Sequence, residues 1–174
     1  LEYETTEKIL FSADAFGKFG ALSADEDWTC EARRYYFNIV GKYGAPVQTL
    51  LKKAAGLEIN TICPLHGPIL KDNLGYYIDK YMVWSSYQPE DDGVLVACAS
   101  IHGNTKAAAE KMVEILKNSG IEKVAYTDLT RDDMSEAIED AFRYSRLIVM
   151  AASYDGGVFP PMEDFINRLS HKAY

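Results

Sequence analysis

The chain has 174 residues, room for one ordinary domain or two small or incomplete ones, and its 48% hydrophobic and 25% charged residues are those of a globular protein. A net charge of −8 excludes wholesale wrapping by nucleic acid, and no apolar run approaches the ~20 residues that span a bilayer. Glu2, Glu4 and Glu7 stand where a signal peptide needs a basic segment and an apolar stretch. Cys30, Cys63 and Cys98 are widely spaced and form no C-x-x-C, which fits a reducing cytoplasm better than a disulfide framework. The first residue is Leu and an extended segment starts almost at once, so the sequence reads as a piece of something larger.

Lys8–Ala13 (K-I-L-F-S-A) is a short strand ending at Asp14, and Ala15–Leu22 reads as a loop. Ser23, with the acids Asp25 to Asp27 behind it, predicts a helix running to about Val40 and stopping near Gly41 and Gly44. A second helix is predicted around Pro46–Ala55, with Pro at its opening and Gly56 at its end. Ile59–Cys63 is a brief strand that breaks at Pro64, and Leu74–Tyr87 is a further helix rich in aromatic residues, read as packing between domains. The polar, turn-rich Gln88–Gly93 marks a domain boundary, giving units 1–87 and 94–174 joined by the linker 88–93.

The second half alternates more cleanly. Val94–Ala99 is an apolar run of the kind buried on both faces, followed by a glycine-containing loop and a helix with Ala108, Met112, Ile115 and Leu116 on one face. Lys123–Leu129 is a second strand, and Asp132–Phe142 a helix with Met134, Ala137, Ile138, Ala141 and Phe142 inward. Its leading acids, Asp132 and Asp133, read as charges favoured by the helix dipole. Leu147–Ala152 is predicted as a third buried strand; Gly156 and Gly157 break it, and Pro161 opens a last helix with Met162, Phe165, Ile166 and Leu169 on one face. Strand and helix alternating three times make half of a doubly wound parallel α/β sheet. A third strand apolar on both faces needs a neighbour beyond it, so partner strands are expected outside this sequence.

Between the first of these strands and its helix lies Ser100-Ile101-His102-Gly103-Asn104-Thr105. Backbone amides, a helix N-terminus and hydroxyl side chains suit an anion held without a cation of the loop's own, Lys106 being the nearest. Neither the Walker A nor the G-x-G-x-x-G pattern is present, and a plain capped strand-to-helix turn is the competing reading.

This loop resembles the [ST]-x-x-G-x-T phosphate loop of the flavodoxin family through Ser100, Gly103 and Thr105, with Asn104 a common variant. Ala152–Pro161 (A-S-Y-D-G-G-V-F-P-P) is similar to that family's second flavin loop, although Ala152 stands where members often carry Pro. The resemblance implies that Ser153, Tyr154, Asp155, Gly156 and Gly157 lie along the flavin. Tyr154 stacking on it and Tyr154 as an exposed loop aromatic both remain open.

Leu10–Gly17 (L-F-S-A-D-A-F-G), Pro64–Pro68 (P-L-H-G-P) and the Tyr81/Trp84 helix, followed in order by a flavodoxin loop, extend the resemblance to the flavodiiron proteins over roughly residues 8–170. The implied fold is the C-terminal part of a metallo-β-lactamase-like αββα domain followed by the first half of a flavodoxin-like sheet. By resemblance, Asp14 matches the carboxylate bridging two irons and His66 the last histidine ligand. Read without it, Asp14 is a strand-end turn residue and His66 a loop histidine bonded to its own backbone. The family's H-x-E-x-D motif is absent, so two ligands cannot hold a diiron pair and the metal site is incomplete here. C-x-x-H at Cys63 and His66 lacks a second zinc pair, and Cys98 reads as inert core. The family implies FMN and two iron ions as cofactors and reduction of O2 to water or NO to N2O. It also implies rubredoxin or a similar small carrier as electron donor, and a head-to-tail homodimer. An FMN electron-transfer module without a working metal site is the alternative. A metallo-β-lactamase-type hydrolase would need zinc and no flavin.

Overall fold

The computed structural model describes residues 1–23, 27–172 and 174. The chain divides into two compact units, Leu1–Tyr87 and Gln88–Tyr174.

In the first unit three short strands form one sheet: β1 (Glu2–Glu4), β2 (Ile9–Ala13) and, from further along the chain, β3 (Thr61–Pro64). β1 runs antiparallel to β2, and β3 runs parallel to it, with Ala13 opposite Pro64 after an irregularity between Phe11 and Ala13. The helices are α1 (Trp28–Tyr35), α2 (Gly44–Ala54) and α3 (Leu74–Ser85). The single helix expected from Ser23 to Val40 is corrected: Ser23 lies in a turn, Asp25 and Glu26 fall outside the described residues, and Asp27 is the cap, accepting from the Cys30 amide at 3.1 Å. After Tyr35 the chain widens into a π-helical turn, Tyr36–Val40. Tyr35, Tyr36 and Phe37 are consecutive and all buried, which one stripe of a regular α-helix cannot accommodate; the wider turn does.

Gly41 and Gly44 do not end the helix, as the sequence suggested. Both are helical, and at Gly44 a Cβ would fall 2.5 Å from the Ser85 carbonyl and 2.8 Å from the Tyr87 ring. That glycine permits close packing between segments rather than a stop. Within this unit, aromatic residues of α3 pack on those of α1 and the π-helical turn. Trp84 stacks on Trp28 with 6.0 Å between centroids, and Tyr81 and Tyr36 pack against Trp84 at 5.3 and 5.6 Å.

The second unit is a parallel sheet of β4 (Asp91–Ala99), β5 (Val124–Asp128) and β6 (Tyr144–Ala151), in the order β5-β4-β6. A small antiparallel hairpin, β7 (Ser153–Tyr154) with β8 (Gly157–Val158), follows β6. The helices are α4 (Asn104–Asn118), α5 (Met134–Arg143) and α6 (Pro160–His171). β4 is the centre: Val94 to Ala99 are at most 2% exposed. Val94, Val96 and Cys98 pack with Ala109, Met112, Val113 and Leu116 of α4.

The buried stripe of α4 is therefore turned by one residue from the expectation. Ala109, Met112, Val113 and Leu116 follow the i, i+3, i+4, i+7 spacing, whereas Ala108 is exposed and Ile115 is 49% exposed. On α6, Met162, Phe165 and Leu169 are buried as predicted, but Ile166 is 43% exposed. β6 pairs, among the described residues, only with β4, which is the open edge that an apolar strand with no strand after it led one to expect; the burial expected of it is not met within this chain, Val149 being 48% exposed.

β4 begins at Asp91, earlier than its apolar run, because Asp91 is clamped from both sides. It pairs with Lys123, just before β5, and accepts from Arg143 Nε at 2.7 Å, just before β6. Burial alone would raise its carboxyl, but the Lys123 and Arg143 contacts outweigh it and hold the group below its ordinary value. Asp91→Asn should therefore cost this unit about 1 kcal/mol at neutral pH. A depressed carboxyl stabilises the fold above the unfolded value of ~3.9 and loses that contribution as the pH falls through its folded value. The stability gap between wild type and variant, measured by urea unfolding, should be flat above about pH 5 and shrink in acid.

Candidate functional site

In the first unit, Asp14 follows β2 and His66 follows β3. Because these strands are parallel neighbours with Ala13 opposite Pro64, both residues leave the same end of the sheet. The turn carrying Asp14 is tightly built: Ala13 and Phe16 take positive φ of 51° and 66° without being glycine. Leu65 N–H donates to Ala13 O at 2.8 Å, Ala15 N–H to Ser12 O at 3.0 Å, and Gly17 N–H to Asp14 O at 3.2 Å. Phe16 is fixed at both its polar groups, its amide donating to the Tyr81 hydroxyl (2.7 Å) and its carbonyl accepting from Trp28 Nε1 (3.2 Å). Strain of this kind persists only where surrounding contacts enforce it.

His66 is set by two constraints. Its Nδ1 lies 3.0 Å from the Lys18 carbonyl, which can only accept, so Nδ1 carries the proton. Gly17 lies against the ring: a Cβ there would stand 2.3 Å from Cε1 and 2.6 Å from Nε2. Tyr35 meets the other side edge-on with centroids 4.5 Å apart. Burial, with the Asp14 charge adding to it, pushes the Tyr35 hydroxyl up, so it stays a neutral phenol at ordinary pH. The remaining ring atom, Nε2, is buried, has no hydrogen-bond partner among the described residues, and lies 4.0 Å from Asp14 Oδ1.

A histidine with Nδ1–H on a backbone carbonyl and Nε2 left open beside a carboxylate has the arrangement of a metal-binding imidazole with its outer-shell support. The donor set thus fits iron at these two residues. Among the described residues no group of three or more His, Cys, Asp or Glu side chains could hold a metal, so the two donors stand without a third. Cys63 joins no such group either. Sequence reasoning gave no role to Gly17, Tyr81 or Trp28 in this corner, although Gly17 ends the quoted L-F-S-A-D-A-F-G run.

In the second unit the chain passes from β4 to β5 on one side and then to β6 on the other. The gap at the carboxyl ends of β4 and β6 is therefore a topological switch point, where open α/β sheets bind ligands. Both predicted loops arise there. Ala99 pairs with Ala151, and Ala152 N–H donates to Ala99 O at 3.1 Å, a bond that proline could not make.

The first loop closes through the Gly103 amide, which donates to Ser100 Oγ at 3.0 Å. Gly103 takes φ +88°, and a Cβ there would meet nothing within 4 Å, so the glycine serves backbone conformation beside open space. α4 starts at Asn104 with no side-chain cap, leaving its first turn facing that opening. Ser100 and Thr105 are half-buried, while Ile101, His102, Gly103 and Asn104 are exposed.

The second loop is the β7–β8 hairpin, with Ser153 opposite Val158 and Tyr154 opposite Gly157. Asp155 and Gly156, at φ 47° and 75°, form its turn, the Asp-Gly pairing that primed hairpin turns favour. Ser153, Asp155, Gly156 and Gly157 are exposed, and Tyr154 is 53% exposed with its ring 5.9 Å from Phe159. Hydroxyls, open backbone and an exposed aromatic at one sheet end fit a flavin phosphate and ring. Two further residues were not singled out as site residues: Asp128, at the end of β5, whose carboxylate meets Lys106, and Asp132. Asp132 is no helix-start charge; its carboxylate accepts the Asp128 amide at 2.7 Å, while Asp133 caps α5 by accepting from the Ser135 amide at 2.7 Å. Cys98 is fully buried, and burial pushes its thiol up, as inert core requires.

The close approach of Gly17 to His66 makes a direct prediction. Gly17→Ala should displace the imidazole and destabilise the first unit by about 1–3 kcal/mol through overpacking. The loss should appear as a lowered urea midpoint, with the His66 ring resonances shifted in NMR spectra.

No family model matches the chain. It is 30% identical over 176 residues to an uncharacterized protein of Methanocaldococcus jannaschii, covering 95% of this chain and 43% of that protein. It is 29% identical over 164 residues to a Synechocystis protein named diflavin flavoprotein, covering 91% of this chain and 27% of the other. With the anaerobic nitric oxide reductase flavorubredoxin of Aeromonas salmonicida it shares 24% identity over 181 residues, 98% of this chain and 34% of that one. The chain thus spans less than half the length of these relatives. Among solved structures, the flavodiiron protein of Giardia intestinalis superposes with a TM-score of 0.90 at 24% identity, covering 98% of this chain and 43% of that one. The rubredoxin:oxygen oxidoreductase of Desulfovibrio gigas gives 0.86 at 22%, covering 98% and 45%. The chain is thus a sequence relative of flavorubredoxin- and diflavin-type flavoproteins and carries the fold of the flavodiiron proteins.

Proposed function

We propose that this chain contributes part of a flavodiiron oxidoreductase that takes electrons at FMN and delivers them to a pair of irons, reducing O2 to water or NO to N2O. The observation that carries the reading is the buried, unpartnered His66 Nε2 facing Asp14, in a chain that also bears two ligand-facing loops at a switch point. Asp14 and His66 supply two of the iron ligands, the others coming from polypeptide beyond these residues. Ser100, Ile101, His102, Gly103, Asn104 and Thr105 hold the FMN phosphate; Ser153, Tyr154, Asp155, Gly156 and Gly157 line the ring.

When bound, FMN supplies one-electron and two-electron transfer and the irons supply Lewis-acid and redox activation of a diatomic gas. The protein's own residues position and insulate. The Lys18 carbonyl orients His66, Gly17 gives the ring room, and Tyr81 and Trp28 hold the turn that presents Asp14. Tyr35, kept as a neutral phenol, packs on His66 without competing for charge. In the second unit the Ser100 hydroxyl closes its own loop while the first turn of α4 faces the phosphate position.

The names of two of the similar proteins contain rubredoxin, which supports a small iron–sulfur carrier as electron donor. A head-to-tail homodimer would bring the flavin of one subunit to the irons of another. No helix among the described residues is long and apolar enough to cross a membrane, and a cytoplasmic setting is part of the proposal. A second reading, an FMN carrier without a working metal site, draws on the absence of a third donor near Asp14 and His66 among the described residues.

In the intact protein, Thr105→Val should weaken FMN binding about tenfold through one lost hydrogen bond to a charged group. Gly103→Val, which forces a branched residue to positive φ, should weaken it further, both read by flavin fluorescence quenching. FMN affinity unchanged in both variants would reject the loop assignment. Iron analysis separates the readings: iron that is lost in His66→Ala supports the reductase, and iron-free wild type supports the carrier.

A further inference from the structure

The only cation in or beside the first loop's sequence is Lys106, and the fold does not leave it free. Lys106 is the third residue of α4, in the first turn, where the helix's own partial positive charge disfavours an ammonium. Its Nζ lies 3.4 Å from Asp128 Oδ2. Asp128 ends β5 opposite Cys98 of β4, two residues before the loop begins at Ser100. The two partners differ sharply in exposure: the Asp128 side chain is 8% exposed, that of Lys106 44%.

The carboxylate is built to stay where it is. Thr130 donates its amide (3.1 Å) and hydroxyl (2.5 Å) to Oδ1, leaving Oδ2 for Lys106. Asp132 accepts the Asp128 amide and so fixes its backbone. Burial works against the charge, yet Thr130 and Lys106 outweigh it and hold the carboxyl below its ordinary value. A half-exposed lysine is thereby tied to a buried anion at the end of β5.

We propose that Asp128 is a specificity-determining residue of the phosphate loop: by holding the Lys106 ammonium, it keeps the Ser100–Thr105 loop without net charge. A phosphate monoester is then retained by hydrogen bonds and the helix terminus and not by an ion pair. The pair acts as a balanced dipole, and removing either member leaves the other's charge near the phosphate. The proposal rests on the reading of this loop as the FMN phosphate site.

The test is a double-mutant cycle in the intact protein freed of flavin, with FMN and riboflavin affinities measured by fluorescence quenching. Asp128→Asn should tighten FMN about three- to tenfold and Lys106→Met should weaken it by a similar factor, as one unscreened charge near a phosphate requires. The double variant should return close to wild type, and riboflavin, which lacks the phosphate, should be unmoved throughout. FMN binding to Asp128→Asn should also gain a salt dependence. Lys106→Met alters an accessible side chain and carries the test by itself should Asp128→Asn not fold. If FMN and riboflavin shift together, the pair is only a clip between α4 and β5 and the proposal fails. Wild type that binds FMN alongside unaffected variants also defeats it, leaving the loop assignment intact. Wild type that does not bind FMN defeats the loop assignment and the proposal together.

Discussion

Parallel pairing of neighbouring strands is the constraint on which both units depend. Two parallel strands deliver their chain ends to the same edge of a sheet, so residues far apart in sequence emerge side by side. In the first unit β2 and β3 do this for Asp14 and His66. In the second, β4 and β6 do it for the phosphate loop and the hairpin. Each pair of ends also leaves backbone groups beyond the ladder, and each is finished by a specific bond: Leu65 N–H to Ala13 O in one, Ala152 N–H to Ala99 O in the other. The candidate chemistry of both units therefore sits where regular structure stops.

That placement imposes steric demands. A histidine that must reach across to a neighbouring strand end needs space, and the space is made by Gly17. A carboxylate presented from a turn with positive φ at Ala13 and Phe16 needs an external brace, which the Phe16 contacts to Tyr81 and Trp28 provide. Those two braces belong to the same aromatic cluster that forms the unit's core. Packing and site geometry are consequently coupled: a change in the Trp28–Trp84–Tyr81 stack is transmitted to Asp14 through one hydrogen bond on each side of Phe16.

Much of this was legible from residues alone, and the failures have physical causes. The apolar run Val94–Ala99 announced a central strand, and the glycine-bearing loop behind it announced a tight turn into a helix, because both signals are local. The run at Leu147–Ala152 announced a strand and, with no strand after it, an open edge, and the pairing of β6 among the described residues matches that; the exposure of Val149 follows from that edge and is not readable from the run itself. The face of α4 slipped by one residue because Ala108 and Ala109 are chemically identical, and their neighbours decide which is covered. Asp14 and His66 carried no local sign of partnership. Their pairing was reached through resemblance, and the open Nε2 is a property of the folded chain only. Gly41 and Gly44 looked like stops because glycine's role in close packing is invisible until the opposing surface, here Ser85 and Tyr87, is in place.

The open Nε2 is the observation with most consequence, because leaving a buried polar atom unpaired costs about 1–3 kcal/mol. A chain selected for stability alone would fill that position with a donor or expose it. Here the opposite has been arranged: Lys18 commits Nδ1, Tyr35 covers one face of the ring, and the absent side chain at Gly17 lets the ring close in. A carboxylate then stands 4.0 Å away, too far for a hydrogen bond and near enough for both groups to address one cation. Tyr126 in the second unit makes the contrast: its buried hydroxyl sits beside the Cys98 thiol in the packing beneath α4, and burial pushes its ionisation up, so it remains a neutral phenol, a weak ligand for a metal. An orphaned polar atom argues for a ligand only when it and its neighbours could share that ligand, and this is the ground on which the proposed role of His66 and Asp14 rests.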